Sequence, residues 1–145
     1  MRYLRGPLVA LLAFAIGVAV SPVRFELERM ACGKMIDGGG GFGIRAYRSS
    51  DNVELYFASG GYASTEKTNE VFDRQVREAV QVLELTPKLD ANGKEAGRRA
   101  VVIRVDKETN EKYASVFWTD DWRIVSIDSL SLWHVLEFEK RKLYD

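Results

Sequence analysis

The sequence predicts an α+β protein: an N-terminal transmembrane or signal-anchor helix, then an antiparallel sheet built from a hairpin and a three-strand meander, with two helices packed on one face. Three observations carry that expectation. Residues 8–20 (LVALLAFAIGVAV) contain no polar side chain. Segments 44–57 and 101–127 alternate apolar and polar residues with period two around turn-forming clusters. Segments 65–85 and 132–142 repeat apolar residues with a helical period.

Composition narrows the function classes. The 145 residues allow one domain with an appendage. Lys and Arg number 21 and Asp and Glu number 21, so the net charge is zero, and the basic excess of a nucleic-acid binder is missing. An apolar content of 46% fits a folded domain, not an acidic disordered tail. One Cys and one His exclude an internal disulfide framework and a Cys/His zinc site.

The N-terminal segment reads as a membrane element. Arg2 and Arg5 precede the apolar run and no acid does, the layout of a signal peptide or anchor. The run alone is shorter than the roughly 20 residues that span a bilayer. With its flanks, residues 4–25 make a thin span in which Arg5 reaches the headgroups and Pro22 helps end the helix. A cut after Ala19 is the cleaved alternative; the retained anchor is the expectation. Cys32 is a poor lipoprotein site, because Glu26, Glu28 and Arg29 separate it from the run. The two leading arginines place the N-terminus in the cytoplasm and the body on the periplasmic side of the inner membrane.

Residues 26–43 read as a Gly-rich connecting segment, and 44–145 as a single extracytoplasmic domain. Gly38, Gly40 and Gly43 match G-x-G-x-x-G, but a strand pattern follows rather than a helix, so no dinucleotide loop is expected. Ile44 and Ala46 pair with Phe57 and Leu55 across the turn cluster 49–52. Ser64 or Thr65 caps a helix over 65–85, whose stripe is Phe72, Val76, Ala79, Val80 and Leu83, stopped by Pro87. Residues 89–97 form a polar loop without the ligand spacing of a calcium site. In the meander, Val105 pairs with Ala114, Ile103 with Val116 and Val101 with Trp118. Trp118 then pairs with Arg123, Val116 with Val125 and Ala114 with Ile127. Both hairpins put the same apolar residues on one face. The other face, with Val102, Arg104, Ser115, Phe117, Ile124 and Ser126, is mixed and reads as solvated. Ser129 or Ser131 caps the last helix.

No catalytic, cofactor-binding or metal-ligating residue is expected. His134 has no nucleophile motif to serve, Cys32 has no group to lower its pKa, and the adjacent carboxylates of Asp120 and Asp121 point apart in a turn. Trp122 and Trp133, with Phe117 and Ile124 behind them, are the candidates for a contact patch, because large aromatics dominate interface energetics.

The leader, the stretch ASTEKTNEVFDRQVREAV and the stretch YASVFWTDDWRIVSIDSLSLWHVLEFEK together resemble small bacterial membrane-anchored proteins of uncharacterised activity. The chain is similar in kind to accessory subunits of membrane complexes, photosynthetic or respiratory assemblies among them. The resemblance implies no activity, cofactor or site residue. Two function classes follow. One is a non-catalytic, membrane-anchored accessory or scaffold subunit, held in the bilayer by residues 4–25 and docked on a larger membrane complex. The other is an extracytoplasmic small-ligand-binding or enzymatic domain.

Overall fold

Apolar residues sit next to one another in the meander: Val101 beside Val102, Val116 beside Phe117, Ile124 beside Val125. Neighbours in a strand point to opposite faces, so both faces of this sheet must be covered. The computed structural model describes residues 22–34 and 40–145. Its strands are β1 (Phe25–Lys34), β2 (Gly41–Ser49), β3 (Glu54–Gly61), β4 (Gln81–Leu89), β5 (Glu95–Val105), β6 (Lys112–Asp120) and β7 (Arg123–Ser129). Helix α1 (Thr65–Glu78) connects β3 to β4, and helix α2 (Leu132–Lys140) follows β7. All strands lie in one sheet of order β1-β2-β3-β7-β6-β5-β4, each pair antiparallel.

This corrects the expected architecture. A single seven-stranded sheet replaces a hairpin plus a three-strand meander, and the two helices lie on opposite faces rather than one. Helix α2 buries Val135 and Phe138 against Tyr47, Leu55, Phe57, Val116, Trp118 and Ile127. Helix α1 buries Val71 and Phe72 against Ala100, Val102, Phe117 and Ile124. Each fully buried Phe or Val contributes on the order of 1.5–3 kcal/mol of transfer free energy. The face read as solvated therefore carries a second core.

The segment 26–43 is not a connector. Residues 25–34 form edge strand β1, and residues from 41 onward form β2. Phe25, taken above as the end of a span, packs edge-on against Phe138 at 5.2 Å between ring centroids. The expected anchor otherwise falls on residues 1–21, outside the described residues. Among the described residues, no helix is long and apolar enough to cross a membrane.

The helix expected over 65–85 stops at Glu78, and 81–89 forms β4. Ser64 caps α1, accepting from the Lys67 N–H at 3.0 Å. Val80 and Leu83 leave the helical stripe because Val80 N–H donates to the Ile103 carbonyl, which starts the β4 ladder. Pro87 is tolerated there because β4 is an edge strand.

Registers differ from expectation in an instructive way. In the meander, Val101 pairs with Val116 and Trp118 with Val125, two residues from the expected partners. A two-residue slip leaves every side chain on its face. The β6–β7 turn is tighter than expected: Asp120 pairs with Arg123, and Asp121 adopts φ 60°. The β2–β3 hairpin is off by one residue. Tyr47, not Ala46, faces Leu55, and Arg45, not Ile44, faces Phe57. Here the slip flips the faces, so Ile44 and Ala46 lie on the α1 side. The cause is the turn, where Ser49 N–H bonds the Val53 carbonyl and Asn52 sits at φ 69°.

Candidate functional site

Helix α1 covers only part of its face. Across that face the ladder runs in rows. One row is Ile44, Ala58, Ser126, Phe117 and Ala100; the next is Ala46, Tyr56, Asp128, Ser115 and Val102. The Phe117 end of the first row lies under α1. At the other end, over β2, β3 and β7, two cavities open. One of about 530 Å³ is walled by Gln75 of α1 and by Tyr62. The other, of about 760 Å³, has Tyr56, Asp128 and Tyr113 in its lining and no α1 residue. Ile44 and Ala58 line both, so the two form one groove with a small-residue floor.

A polar cluster underlies that groove. Ser115 pairs with Asp128, and Arg104 with Tyr113. Three side-chain atoms here are sealed from solvent and have no hydrogen-bond partner: Asp128 Oδ1, Ser115 Oγ and Arg104 Nε. Arg104 is otherwise fixed, with its guanidinium 4.7 Å over the Phe117 ring and Nη2 donating to Gln75 Oε1 at 3.0 Å. Burial pushes the Asp128 carboxyl above the ordinary carboxylate range, opposed by the neighbouring Ser115 hydroxyl and the Arg104 charge. Burial and the Asp128 charge likewise raise Tyr113. Tyr56 is raised by Glu54 beside its hydroxyl and by burial, so both tyrosines stay neutral. Glu54 is held below its usual value by the Tyr56 hydroxyl and by Arg29 and Arg48. The groove thus offers a strained carboxylate, two neutral phenols and an apolar floor.

The contact-patch candidates are not brought together. Trp122 and Trp133 are exposed, at 52% and 55%. They stand at opposite ends of β7, roughly 20 Å apart at strand rise, so they share no patch. Phe117 and Ile124 are buried in the core that α1 covers, because the face read as solvated is packed, and Ile124 also lines the smaller cavity. Trp122 lies over Gly61, where a Cβ would stand 2.6 Å from its ring.

Other sequence features resolve individually. His134 is buried and linked at both ring nitrogens, with Ser131 Oγ 2.6 Å from Nδ1 and Asp51 Oδ1 2.9 Å from Nε2. Ser131 also accepts the His134 backbone N–H as the α2 cap, so this chain of contacts ties α2 to the β2–β3 turn. Asp120 pairs with Arg123 while Asp121 accepts from Thr65, so these carboxylates diverge. Asp90 closes its own turn by accepting from the N–H groups of Asn92 and Lys94. Cys32 is an exposed free thiol on β1. Among the described residues, no three His, Cys, Asp or Glu side chains could hold a metal ion.

Sequence reasoning missed Asp128 and underread Arg104 and Ser115. Their signal was a charged residue inside a strand, between Ile127 and Ser129, at a position that faces inward once both sheet faces are covered. Comparison of the chain with protein-family models, with curated proteins and with solved structures finds no match.

Proposed function

We propose that the protein is a small-ligand-binding domain, with the groove on the α1 face of the sheet as its site. The observation that carries this reading is Asp128, an acid in the lining of a cavity of about 760 Å³ whose carboxyl also has one oxygen buried in the sheet without a partner. Folded proteins pair nearly all buried polar atoms, and leaving one unpaired costs about 1–3 kcal/mol. A cost of that kind beside a roomy, partly apolar cavity is typical of sites that a ligand completes.

The scaffold suits the role. The α2 face is closed and holds the larger core, so the fold can leave part of its other face uncovered. Strands rather than loops carry Tyr56, Tyr113 and Asp128, which keeps their spacing rigid.

Methyl and amide chemical shifts of the full chain, titrated with a small-molecule set spanning amines, alcohols, carboxylates and sugars, test the proposal. The expected result is that binders shift Ile44, Ala58 and Tyr56 together, and that Ala58→Trp, which fills the floor common to both cavities, abolishes those shifts. A set in which no member moves these residues, or whose binders are indifferent to Ala58→Trp, overturns it.

A further inference from the structure

Resting on the groove being a ligand site, we propose that its ligand is a small organic cation: an ammonium group set against Asp128, Tyr56 and Tyr113, with an apolar body along Ile44 and Ala58. Charge is the first argument. The acidic and basic residues lining the larger cavity are Glu54, Asp106, Glu111, Asp128 and, as the single basic side chain among the described residues that line it, Arg48. Arg48 is already engaged, with Nε on Glu28 at 2.8 Å, Nη1 on Asn52 at 3.1 Å and Nη2 on Glu54 at 3.4 Å. Arg29 also lies 3.5 Å from Glu54. Glu54 is therefore compensated, and Asp106, Glu111 and Asp128 have no cation inside the cavity. Arg104 is outside the larger cavity's lining, held by Gln75 and stacked on Phe117. Such a field repels anions and concentrates cations.

Geometry then separates the kinds of cation. A bare metal ion needs several oxygens converging at about 2.0–2.6 Å. No three acidic, His or Cys side chains among the described residues converge that way. The carboxylates instead ring a cavity of about 760 Å³, the size of site that accommodates an organic molecule. A protonated amine suits this layout, because the part of the Asp128 side chain that lines the cavity can accept one charge-assisted hydrogen bond while the remaining acids act through space. Tyr56 and Tyr113 are neutral phenols whose ring faces attract a cation. Ile44, Ala58 and Val53 then take the hydrocarbon part. A neutral alcohol could meet the hydrogen bond but would leave the field uncompensated.

Calorimetric titration of the full chain with three matched probes tests this: 2-phenylethylammonium, 2-phenylethanol and 3-phenylpropionate. The ammonium probe is expected to bind roughly tenfold or more tightly than the other two, the scale of one charge-assisted contact. Asp128→Asn is expected to weaken the ammonium probe by roughly tenfold and leave the alcohol unchanged. Glu111→Gln, at an exposed position whose replacement leaves folding intact, is expected to weaken the ammonium probe alone and by less. Equal binding of the three probes, tighter binding of the propionate, no binding of the ammonium, or ammonium binding unaffected by both substitutions overturns the proposal. If the alcohol or propionate binds and loses that binding with Ala58→Trp, the cation assignment falls while the groove stands as the site. If no probe and no member of the wider set shows binding sensitive to Ala58→Trp, both readings fall.

Discussion

Replacing Asp128 with Asn should stabilise the protein at neutral pH, and the gain should vanish in acid. The carboxyl is held above its ordinary pKa mainly by burial, so its ionised form is less favourable in the folded chain than in the unfolded one. An acid raised in this way binds more protons folded than unfolded. Stability therefore falls as pH rises from the unfolded value, near 4, through the higher folded value. Below that window the carboxyl is protonated in both states and contributes no penalty. Above it the penalty is complete. Its size follows from the surroundings: Oδ1 is sealed without a partner, while Ser115 and Arg104 offset part of the cost. An unpartnered buried polar group costs about 1–3 kcal/mol, and the offset places Asp128 at the lower end, about 1–2 kcal/mol. For a domain of this size that corresponds to a rise in Tm of roughly 4–8 °C. Asn keeps the shape and removes the charge. Urea unfolding of both forms at matched pH between 3 and 8 isolates this group, because other titrations cancel in the difference. A difference independent of pH, or a loss of more than about 1 kcal/mol at pH 7, would refute the reasoning.

Three further outcomes are expected. Phe138→Ala should cost about 3–5 kcal/mol in urea unfolding, since the ring is fully buried against Tyr47, Phe25 and Tyr144; a cost under 1 kcal/mol would show that α2 is not the lid of that core. Gly61→Ala should cost about 1–3 kcal/mol by driving a Cβ into the Trp122 ring, and pairing it with Trp122→Ala should recover most of that loss; additivity of the two would contradict the contact. His134→Ala should flatten the acid limb of the stability curve. Ser49 and His134 hold the Asp51 carboxyl below its ordinary range, so its stabilisation is present above the usual Asp pKa and lost as pH falls through the lowered value. An unchanged acid limb in the variant would show that this link does not operate.

What was legible in the sequence was local. The meander's apolar face, Val101 with Val116, Val125 and Ile127, could be read because two turns agree on it, and a two-residue slip in each hairpin does no damage. The β2–β3 register could not, because the loop length depends on Asn52 taking a left-handed conformation and on Ser49 closing the turn through Val53. One residue of error there moved Ile44 from the cavity to the core. β4 was hidden because Val80, Val82, Leu83 and Leu85 fit either period, and the choice was made by Ile103 and its neighbours, distant in sequence. The candidate site was illegible for a related reason. Asp128, Ser115 and Arg104 come from three strands, and Tyr56 with the cavity floor joins them only once β7 docks on β3.

That docking explains why an open groove exists at all. Helix α1 must carry the chain from β3, in the middle of the sheet, to β4 at its far edge. It therefore crosses β5, β6 and β7, and it buries Val71 and Phe72 there. Among the described residues, strands β1 and β2, on the other side of β3, receive no helix on that face, and no element after β7 returns to it, since α2 packs on the opposite side. An uncovered sheet face in a monomer is ordinarily polar. This one is mixed: Ile44, Ala46 and Ala58 lie beside Tyr56 and Asp128, with ion pairs of Arg29 and Arg48 at the margin. A purely solvated face would need no small apolar floor, and a packing face would not retain a carboxylate with an unpartnered oxygen. The combination of the two is what a ligand with an apolar body and one charged end would complete.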